Sequence, residues 1–178
     1  MPTSNLYNAP LICQLVRQTG AKKILDVGPG HGKYGVLLRE YAGAQVVDAV
    51  EMWSPYVKEF KLGGIYDEVF IGDALEMSEE PVDSGRRILP SLNDYDLVLS
   101  VSSIEHMPKE PATEWLRRIR GMALIVTPMQ WMQEDHQVPT ERHQSLWTIE
   151  DFRTRFPKRF QLDASQRGAV IALLGPKP

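Results

Sequence analysis

The sequence has 178 residues, of which 43% are hydrophobic and 24% are charged, a composition typical of a globular protein with a sizeable buried core. Its formal net charge of −3 disfavours nucleic acid as a partner, because nucleic-acid-binding surfaces are strongly basic. The one cysteine, Cys13, excludes an internal disulfide and fits a reducing compartment. The sequence shows neither a signal-peptide pattern nor an apolar run of about 18 residues, so we expect a cytoplasmic protein without membrane insertion.

The chain is predicted to form one domain over residues 1–178, beginning with a helical segment over residues 1–20. Five short runs rich in Val, Ile and Leu follow, at residues 22–28, 45–51, 67–73, 95–101 and 122–128. Their apolar content is continuous rather than alternating, which predicts buried strands of a parallel sheet. The segments between them predict helices, at residues 34–41, 55–61 and 109–120.

Two further strand-like runs, residues 159–165 and 168–175, end the sequence. The connection between them is too short for a parallel crossover, which predicts an antiparallel hairpin. The polar segment 79–94 predicts a loop or a poorly formed helix. The predicted fold class is therefore α/β: a doubly wound, Rossmann-like three-layer sandwich with a seven-stranded, mostly parallel sheet and a C-terminal antiparallel hairpin.

A glycine-rich turn follows the first run, with glycines at positions 28, 30 and 32. Glycine permits a tight turn and a close approach of the backbone to a ligand. Lys33 stands where the dinucleotide fingerprint G-x-G-x-x-G has its third glycine. The turn is thus a poor pyrophosphate cradle, which leaves an NAD-dependent oxidoreductase as a weaker alternative and a turn without any ligand as another.

Acidic residues stand in or at the end of the first three runs, namely Asp26, Glu51 and Asp73. The carboxyl ends of parallel strands meet at one edge of a sheet, where ligands bind. Glu51 is placed to accept hydrogen bonds from both hydroxyls of a ribose, and Asp73 from the amino group of adenine, although Asp73 could instead cap a helix. The three carboxylates together indicate a nucleoside ligand without a pyrophosphate.

Four segments resemble the motifs of class I S-adenosylmethionine-dependent methyltransferases: ILDVGPGHG resembles motif I, VDAVEMW motif II, GDALE motif III, and YDLVLSVSSIEHMPK the motif IV region. The resemblance covers nearly the whole chain. It implies methyltransferase activity (EC 2.1.1.-), a strand order of 3-2-1-4-5-7-6, and S-adenosyl-L-methionine as the methyl donor, which is converted to S-adenosyl-L-homocysteine (SAH).

The resemblance also implies the residues that hold the methionine end of the donor. Gly28, Gly30 and Gly32 would pass under the methionine moiety, and Asp26 would anchor its amino group directly or through water. The floor of the pocket near the sulfonium would be formed by Ser100 and Val101.

At the nucleoside end, the resemblance implies that Glu51 binds the ribose hydroxyls and that Met52 packs on the adenine ring. Asp73 would bind the adenine amino group, and Ala74 would donate a backbone hydrogen bond.

Two histidines are candidates for the acceptor side. His106 lies just past the fourth predicted strand, where a general base could act, although Glu105 and His106 could instead only order this loop. His143 lies in a possible acceptor-side loop over residues 128–147 and is the second candidate for acceptor binding or proton removal.

The same loop contains side chains of metal-ligand type, at Glu134, Asp135, His136, Glu141 and His143. No tight spacing such as H-E-x-x-H occurs, so we expect no metal site. The loop also contains large apolar residues, at Trp131, Met132 and Trp147, which suggest a lid over the acceptor or, alternatively, packing against the sheet. Residues 148–151 predict a capping box that begins another helix.

The acceptor class is narrowed by two motifs that the sequence lacks. Enzymes that methylate base amino groups carry an Asn/Asp-Pro-Pro-aromatic tetrad after the fourth strand, where this sequence has Ser-Val-Ser-Ser, and the single cysteine precedes the first strand, which excludes a cytosine C5 nucleophile. We therefore expect a small-molecule, sugar or lipid-precursor acceptor, with a homodimer that completes the site as a further hypothesis. The alternative is a non-catalytic partner subunit that binds S-adenosylmethionine.

Overall fold

The structure is a computed structural model that describes residue 4 and residues 6–80, 82–83, 88–130 and 138–178. The strands of the described chain are β1 (Lys23–Val27), β2 (Val46–Glu51), β3 (Val69–Ile71), β4 (Val82–Asp83), β5 (Ile88–Leu89), β6 (Leu97–Val101), β7 (Met122–Pro128), β8 (Phe160–Asp163) and β9 (Ala169–Leu174). Its α-helices are α1 (Ala9–Thr19), α2 (Lys33–Leu37), α3 (Ser54–Glu59), α4 (Lys109–Arg118) and α5 (Ile149–Arg155).

Seven strands form one large sheet in the order β3-β2-β1-β6-β7-β9-β8. β1 pairs in parallel with β2 and β6, and β7 pairs in parallel with β6, whereas β9 is antiparallel to both β7 and β8. Counting only the strands of this sheet in chain order, the order is 3-2-1-4-5-7-6. The predicted fold class and strand order are confirmed.

Apolar cores cover both faces of the sheet, which explains the continuous apolar runs of the sequence. Successive residues of a strand point to opposite faces. Leu25 accordingly packs in one core with Trp115 of α4, while its neighbour Ile24 packs in the other core with Ile12 of α1. All four of these side chains are fully buried. Strands covered on both faces have no polar face, so an alternating pattern does not develop.

The C-terminal hairpin is confirmed. The turn between β8 and β9 is tightened by a bridge between Gln166 and Ala169, and it passes through two residues with positive φ, Arg167 at 50° and Gly168 at 76°. Glycine adopts this conformation without strain, so it fits the end of a turn this short.

The remaining local predictions agree with the structure except in one segment. The capping box before α5 is confirmed, because the Thr148 side chain accepts from the Asp151 N–H and the Asp151 carboxylate accepts from the Thr148 N–H. The loop or helix predicted over residues 79–94 was wrong in part, since β4 and β5 form a short antiparallel pair there. Pairing of the two strands supplies hydrogen-bond partners for their backbone N–H and C=O groups, as a helix would otherwise do.

Among the residues that the structure describes, no helix is both long and apolar enough to span a bilayer.

Candidate functional site

A cavity of about 890 Å³ opens at the carboxyl ends of β1, β2, β6 and β7. Its volume lies within the range of about 300–1,000 Å³ that is usual for small-molecule sites. The last residues of these strands and the turns that follow them form its wall. The topology of the sheet therefore brings together the segments that the sequence analysis singled out.

The glycine-rich turn between β1 and α2 forms one side of this cavity. Gly28, Gly30 and Gly32 all have positive φ, at 68°, 53° and 77°. A Cβ on Gly28 would stand 2.6 Å from Ser103 Oγ, so the loop after β6 lies directly against the turn. A Cβ on Gly32 would instead meet Ile65 Cδ1 at 2.6 Å. Gly28 and Gly30 line the cavity, whereas Gly32 is not part of its wall and lies against Ile65, so its contact with a donor stays a prediction.

Asp26, the second-to-last residue of β1, lines the cavity and is 1% exposed. Tyr66 donates a hydrogen bond of 2.6 Å from its hydroxyl to Asp26 Oδ2. Burial raises the pKa of Asp26 to about 6, and the hydrogen bond from Tyr66 and the charge of Lys33 oppose this rise only in part. The result is a desolvated carboxylate that a bound cation would stabilise.

Glu51 ends β2 and is 7% exposed at the cavity wall. Its Oε1 accepts a hydrogen bond of 2.7 Å from the Trp53 N–H. Burial is the main cause that raises the pKa of Glu51 to about 7, and the nearby charge of Glu141 adds to it. Met52 follows directly and exposes 53% of its surface at the same wall, as an apolar platform beside the carboxylate.

Asp73 and Ala74 line the cavity after β3. Asp73 Oδ1 accepts a hydrogen bond of 2.9 Å from the Leu75 N–H, so this residue does cap a short helical turn, as the structural alternative proposed. The capping bond engages one carboxylate oxygen, and Asp73 is among the residues that line the cavity. Both interpretations of Asp73 are therefore compatible with the structure.

The two residues expected at the floor of the pocket differ in their placement. Val101, the last residue of β6, lines the cavity. Ser100 is fully buried and is not in the cavity wall. Neighbouring strand residues point to opposite faces, so only one of the pair can face a given side of the sheet. Val101 is thus the one of the two that lines the cavity, and a contact between Ser100 and a donor stays a prediction.

The acceptor-side candidates come together at the other side of the cavity. The rings of His106 and His143 are 4.9 Å apart and meet edge to face. With Glu105 they form a group in which one potential ligand atom from each residue lies within 4.8 Å of the others. The structure thus unites both histidines with a carboxylate that the sequence analysis considered only as a loop residue.

Glu105 is the most buried residue of this group, at 2% exposure. Thr127 of β7 donates a hydrogen bond of 3.0 Å to Glu105 Oε2. Burial raises the pKa of Glu105 to about 7, and burial together with the neighbouring His106 lowers the pKa of His143. Both shifts favour the neutral form of the isolated side chain.

Backbone and amide contacts fix the segment that carries His143 against the loop after β6. The N–H groups of Gln144 and Ser145 donate to the Glu105 carbonyl at 2.7 and 3.1 Å, and the Gln144 side-chain amide donates to the His106 carbonyl at 2.7 Å. Trp147 is fully buried and stacks on Phe152 at 5.2 Å, so it belongs to the core and is not a lid residue.

Sequence reasoning missed two residues of the site. Tyr66, which holds Asp26, lies in a segment without a distinctive motif, and its role depends on a contact across 40 positions. Glu105 was recognised as part of a loop, but its burial beside His143 could not be seen in the sequence. Residues 131–137 of the proposed acceptor loop lie outside the described residues, and they include five that the sequence analysis named: Trp131, Met132, Glu134, Asp135 and His136.

Comparisons with known proteins give matches in structure only. No protein-family model matches the sequence, and no curated protein matches it. The DhpI–SAH complex matches with a TM-score of 0.68 at 14% identity, over 96% of this chain and 86% of that one. The small RNA methyltransferase HEN1 matches with a TM-score of 0.66 at 17% identity, over 100% of this chain and 26% of that one. An O-methyltransferase family protein from Burkholderia thailandensis matches with a TM-score of 0.60 at 13% identity, over 95% and 56%.

These likenesses establish the fold. The chain has the fold of the class I S-adenosylmethionine-dependent methyltransferases, with their strand order and antiparallel seventh strand. It spans about half the length of the Burkholderia protein and about a quarter of HEN1.

Proposed function

We propose that this chain is an S-adenosylmethionine-dependent methyltransferase. The observation that carries the proposal is the arrangement of three carboxylates, Asp26, Glu51 and Asp73, around one cavity beside the glycine turn. The donor carries an ammonium, a sulfonium and one carboxylate, so it brings a net positive charge to an acidic, partly desolvated site. Burial raises the pKa of Asp26 and of Glu51. The ligand's ammonium would relieve the cost of ionising Asp26, and hydrogen bonds from its ribose hydroxyls would do the same for Glu51.

At the methionine end, Asp26 is proposed to accept hydrogen bonds from the ammonium group. Asn8, which also lines the cavity, is 5% exposed, and its Oδ1 has no hydrogen-bond partner among the described residues. A buried carbonyl oxygen without a partner is costly, so a ligand N–H at this position would stabilise the site. Asn8 is therefore a second acceptor for the same ammonium group.

At the nucleoside end, the Glu51 carboxylate is proposed to accept from both ribose hydroxyls, and the exposed side chain of Met52 to pack on adenine. Asp73 would accept from the adenine amino group with the oxygen that does not cap Leu75. These roles use groups that already line the cavity, so donor binding requires no large rearrangement.

Methyl transfer is an in-line displacement. The acceptor atom attacks the methyl carbon while the bond from that carbon to sulfur breaks, and the sulfonium becomes a neutral thioether. Most of the protein's contribution is to hold the two reactants in line. An oxygen acceptor must also lose a proton, and Glu105, His106 and His143 are the groups proposed to act at that end of the cavity.

We propose a small-molecule, sugar or lipid-precursor acceptor. Among the described residues, five carboxylates line the cavity: Asp26, Glu51, Asp73, Glu105 and Glu141. Together with the net charge of −3, they disfavour the phosphodiester backbone of a nucleic acid. RNA methylation is a property of HEN1 and is not carried over to this chain. Completion of the site by a second subunit stays a prediction, which a measurement of oligomeric state would test.

Calorimetric titration with SAH and with NAD tests the donor assignment. We expect SAH to bind at least tenfold more tightly than NAD, and Glu51→Ala to weaken SAH binding at least tenfold, which corresponds to about 1.4 kcal/mol. Glu40→Ala is the matched control, because Glu40 is exposed and lies outside the cavity wall. Tighter binding of NAD would overturn the assignment.

Transfer of a labelled methyl group to pools of hydroxylated small molecules then tests activity. Label in a product would identify the acceptor. Tight SAH binding with no transfer to any pool would favour the alternative, a non-catalytic partner subunit.

A further inference from the structure

Glu105, His106 and His143 form a group whose chemistry goes beyond acid–base catalysis. Two imidazoles and one carboxylate make a ligand set that Zn²⁺ and related first-row ions bind with positions left open for a further ligand. One potential ligand atom from each residue lies within 4.8 Å of the others. Ligand atoms around Zn²⁺ stand about 3.4 Å apart, so small side-chain rotations are enough to bring the three together.

Hydrogen bonds orient two residues of the group, His106 and Glu105, in the way that metal ligands are usually oriented by their neighbours. His106 Nδ1 lies 3.2 Å from the carbonyl oxygen of Arg142. If Nδ1 carries the proton and donates to that carbonyl, Nε2 has the lone pair that a metal requires, and this partnership is typical of metal-ligating histidines. Thr127 donates to one oxygen of Glu105, which fixes the orientation of the carboxylate in the same manner.

The electrostatic environment also favours a cation. Glu105 is a carboxylate at 2% exposure whose described side-chain hydrogen bond comes from the neutral hydroxyl of Thr127. Glu141, which lines the same cavity, adds a second negative charge close enough to influence both Glu105 and His143. A bound divalent ion would neutralise this concentration of negative charge.

The position of the group relates it to the donor site. Glu105 follows Ser103 by two residues, and the Ser103 hydroxyl lies beside the Cα of Gly28, where a Cβ would contact it. Glu51 at the nucleoside end and the three residues of the group line one continuous cavity. A ligand bound between the group and the glycine turn would therefore contact the donor.

We propose that Glu105, His106 and His143 bind one divalent transition-metal ion, of the Zn²⁺, Mn²⁺ or Co²⁺ type, which coordinates the hydroxyl oxygen of the methyl acceptor. This inference rests on the proposed function and specifies its acceptor as an alcohol or phenol. It also replaces the expectation of no metal site, which considered only ligands within residues 128–147. The histidines then act as ligands and not as proton acceptors.

The metal ion lowers the pKa of the coordinated hydroxyl, which loses its proton to water. The resulting alkoxide oxygen forms a bond to the methyl carbon as the carbon–sulfur bond breaks, and the electron pair of that bond stays on sulfur. The products are a methyl ether and neutral SAH, and the metal ion is unchanged. Charge balances, since one sulfonium charge is neutralised and one proton is released.

Binding of Co²⁺ to the full chain, after EDTA treatment and dialysis, tests the inference. Co²⁺ bound to protein ligands absorbs visible light more strongly than free Co²⁺, so binding can be followed by absorption spectroscopy. We expect one Co²⁺ per chain by equilibrium dialysis, with competition by Zn²⁺ and none by equimolar Mg²⁺, which prefers oxygen ligands. Glu105→Gln and His143→Gln should each weaken Co²⁺ binding at least tenfold.

The matched control is His31→Gln. His31 is exposed on the glycine turn, where it stacks on Phe60 at 4.0 Å, and it lies outside the group. Its substitution removes one histidine from the chain but should change Co²⁺ affinity less than twofold. Circular dichroism of each variant would show that the fold is retained, and Glu105→Gln, which preserves shape, is the variant least expected to disturb it.

Absence of Co²⁺ binding to the wild type would overturn the inference, as would equal binding by all variants. SAH titration of the same metal-free preparations separates this result from the donor assignment. Binding of SAH without Co²⁺ would reject the metal site alone, whereas binding of Co²⁺ without SAH would reject the proposed function.

Discussion

Replacement of Glu51 by Gln should stabilise the free protein above neutral pH while it weakens donor binding. Glu51 is 7% exposed, and burial raises the pKa of its carboxyl from about 4.5 to about 7. Gln keeps the shape of the side chain and an oxygen that can accept from the Trp53 N–H. The substitution therefore removes the charge with little change in packing.

The sign follows from the direction of the pKa change. A carboxyl whose pKa is higher in the folded state stabilises the fold below the unfolded pKa, and this contribution is lost as the pH rises through the folded pKa. A rise from about 4.5 to about 7 corresponds to about 3 kcal/mol. Glu51→Gln should thus match the wild type near pH 4 and exceed it by up to about 3 kcal/mol at pH 8.5.

Urea unfolding at both pH values, followed by tryptophan fluorescence, measures the difference in the free energy of unfolding. Glu40→Gln is the control, and because Glu40 is exposed we expect a change below about 0.5 kcal/mol. In the same variant, SAH affinity should fall at least tenfold, by about 1.4 kcal/mol, because the amide cannot accept from both ribose hydroxyls. A difference in stability that does not vary with pH, or a Gln variant less stable at pH 8.5, would refute the reasoning.

Three further substitutions test the contacts that hold the site. Tyr66→Phe removes the hydroxyl that donates to buried Asp26, so it should lower the free energy of unfolding, measured in urea, by about 1–3 kcal/mol. A loss below about 0.5 kcal/mol, as expected for a surface substitution, would contradict this role. Gly28→Ala places a Cβ against Ser103 at a φ of 68°, so it should lower the free energy of unfolding by about 1–2 kcal/mol and weaken SAH binding in calorimetry. An unchanged stability together with an unchanged SAH affinity would contradict the described turn. Trp147→Ala should cost about 3–5 kcal/mol in the same unfolding assay, since the ring is fully buried, whereas an unaltered stability would return this residue to the role of a lid.

The sequence was sufficient to predict the sheet and the acidic residues that meet at its carboxyl edge, because both follow from local patterns. Continuous apolar runs identify strands covered on two faces, and the short connection at residues 166–168 forces the antiparallel pair that completes the strand order. Once the strands are parallel, their carboxyl ends must share an edge, which brings Glu51 and Asp73 to one cavity.

The features that could not be predicted depend on packing between distant segments. Gly32 and Ser100 were expected beside the ligand, yet neither is part of the cavity wall, since Gly32 lies against Ile65 and Ser100 is fully buried. Such differences of orientation are set by the layer that covers each strand, and the motif does not encode them.

The group of Glu105, His106 and His143 also depends on packing between distant segments, so the sequence could not predict it. His143 follows His106 by 37 positions, and the two meet only because the backbone of the segment after β7 is hydrogen-bonded to the loop after β6. No spacing rule for metal ligands covers such a separation. The grouping of Glu105, His106 and His143 therefore became visible in the structure and not in the sequence.

A crystal structure of the chain with SAH tests the central claim most directly. The account predicts adenosine density at the carboxyl ends of β1 and β2, with both ribose hydroxyls within hydrogen-bond distance of the Glu51 carboxylate and the amino group beside Asp26. Density for SAH that leaves Glu51 without a contact to the ribose, or that lies outside this cavity, would contradict it.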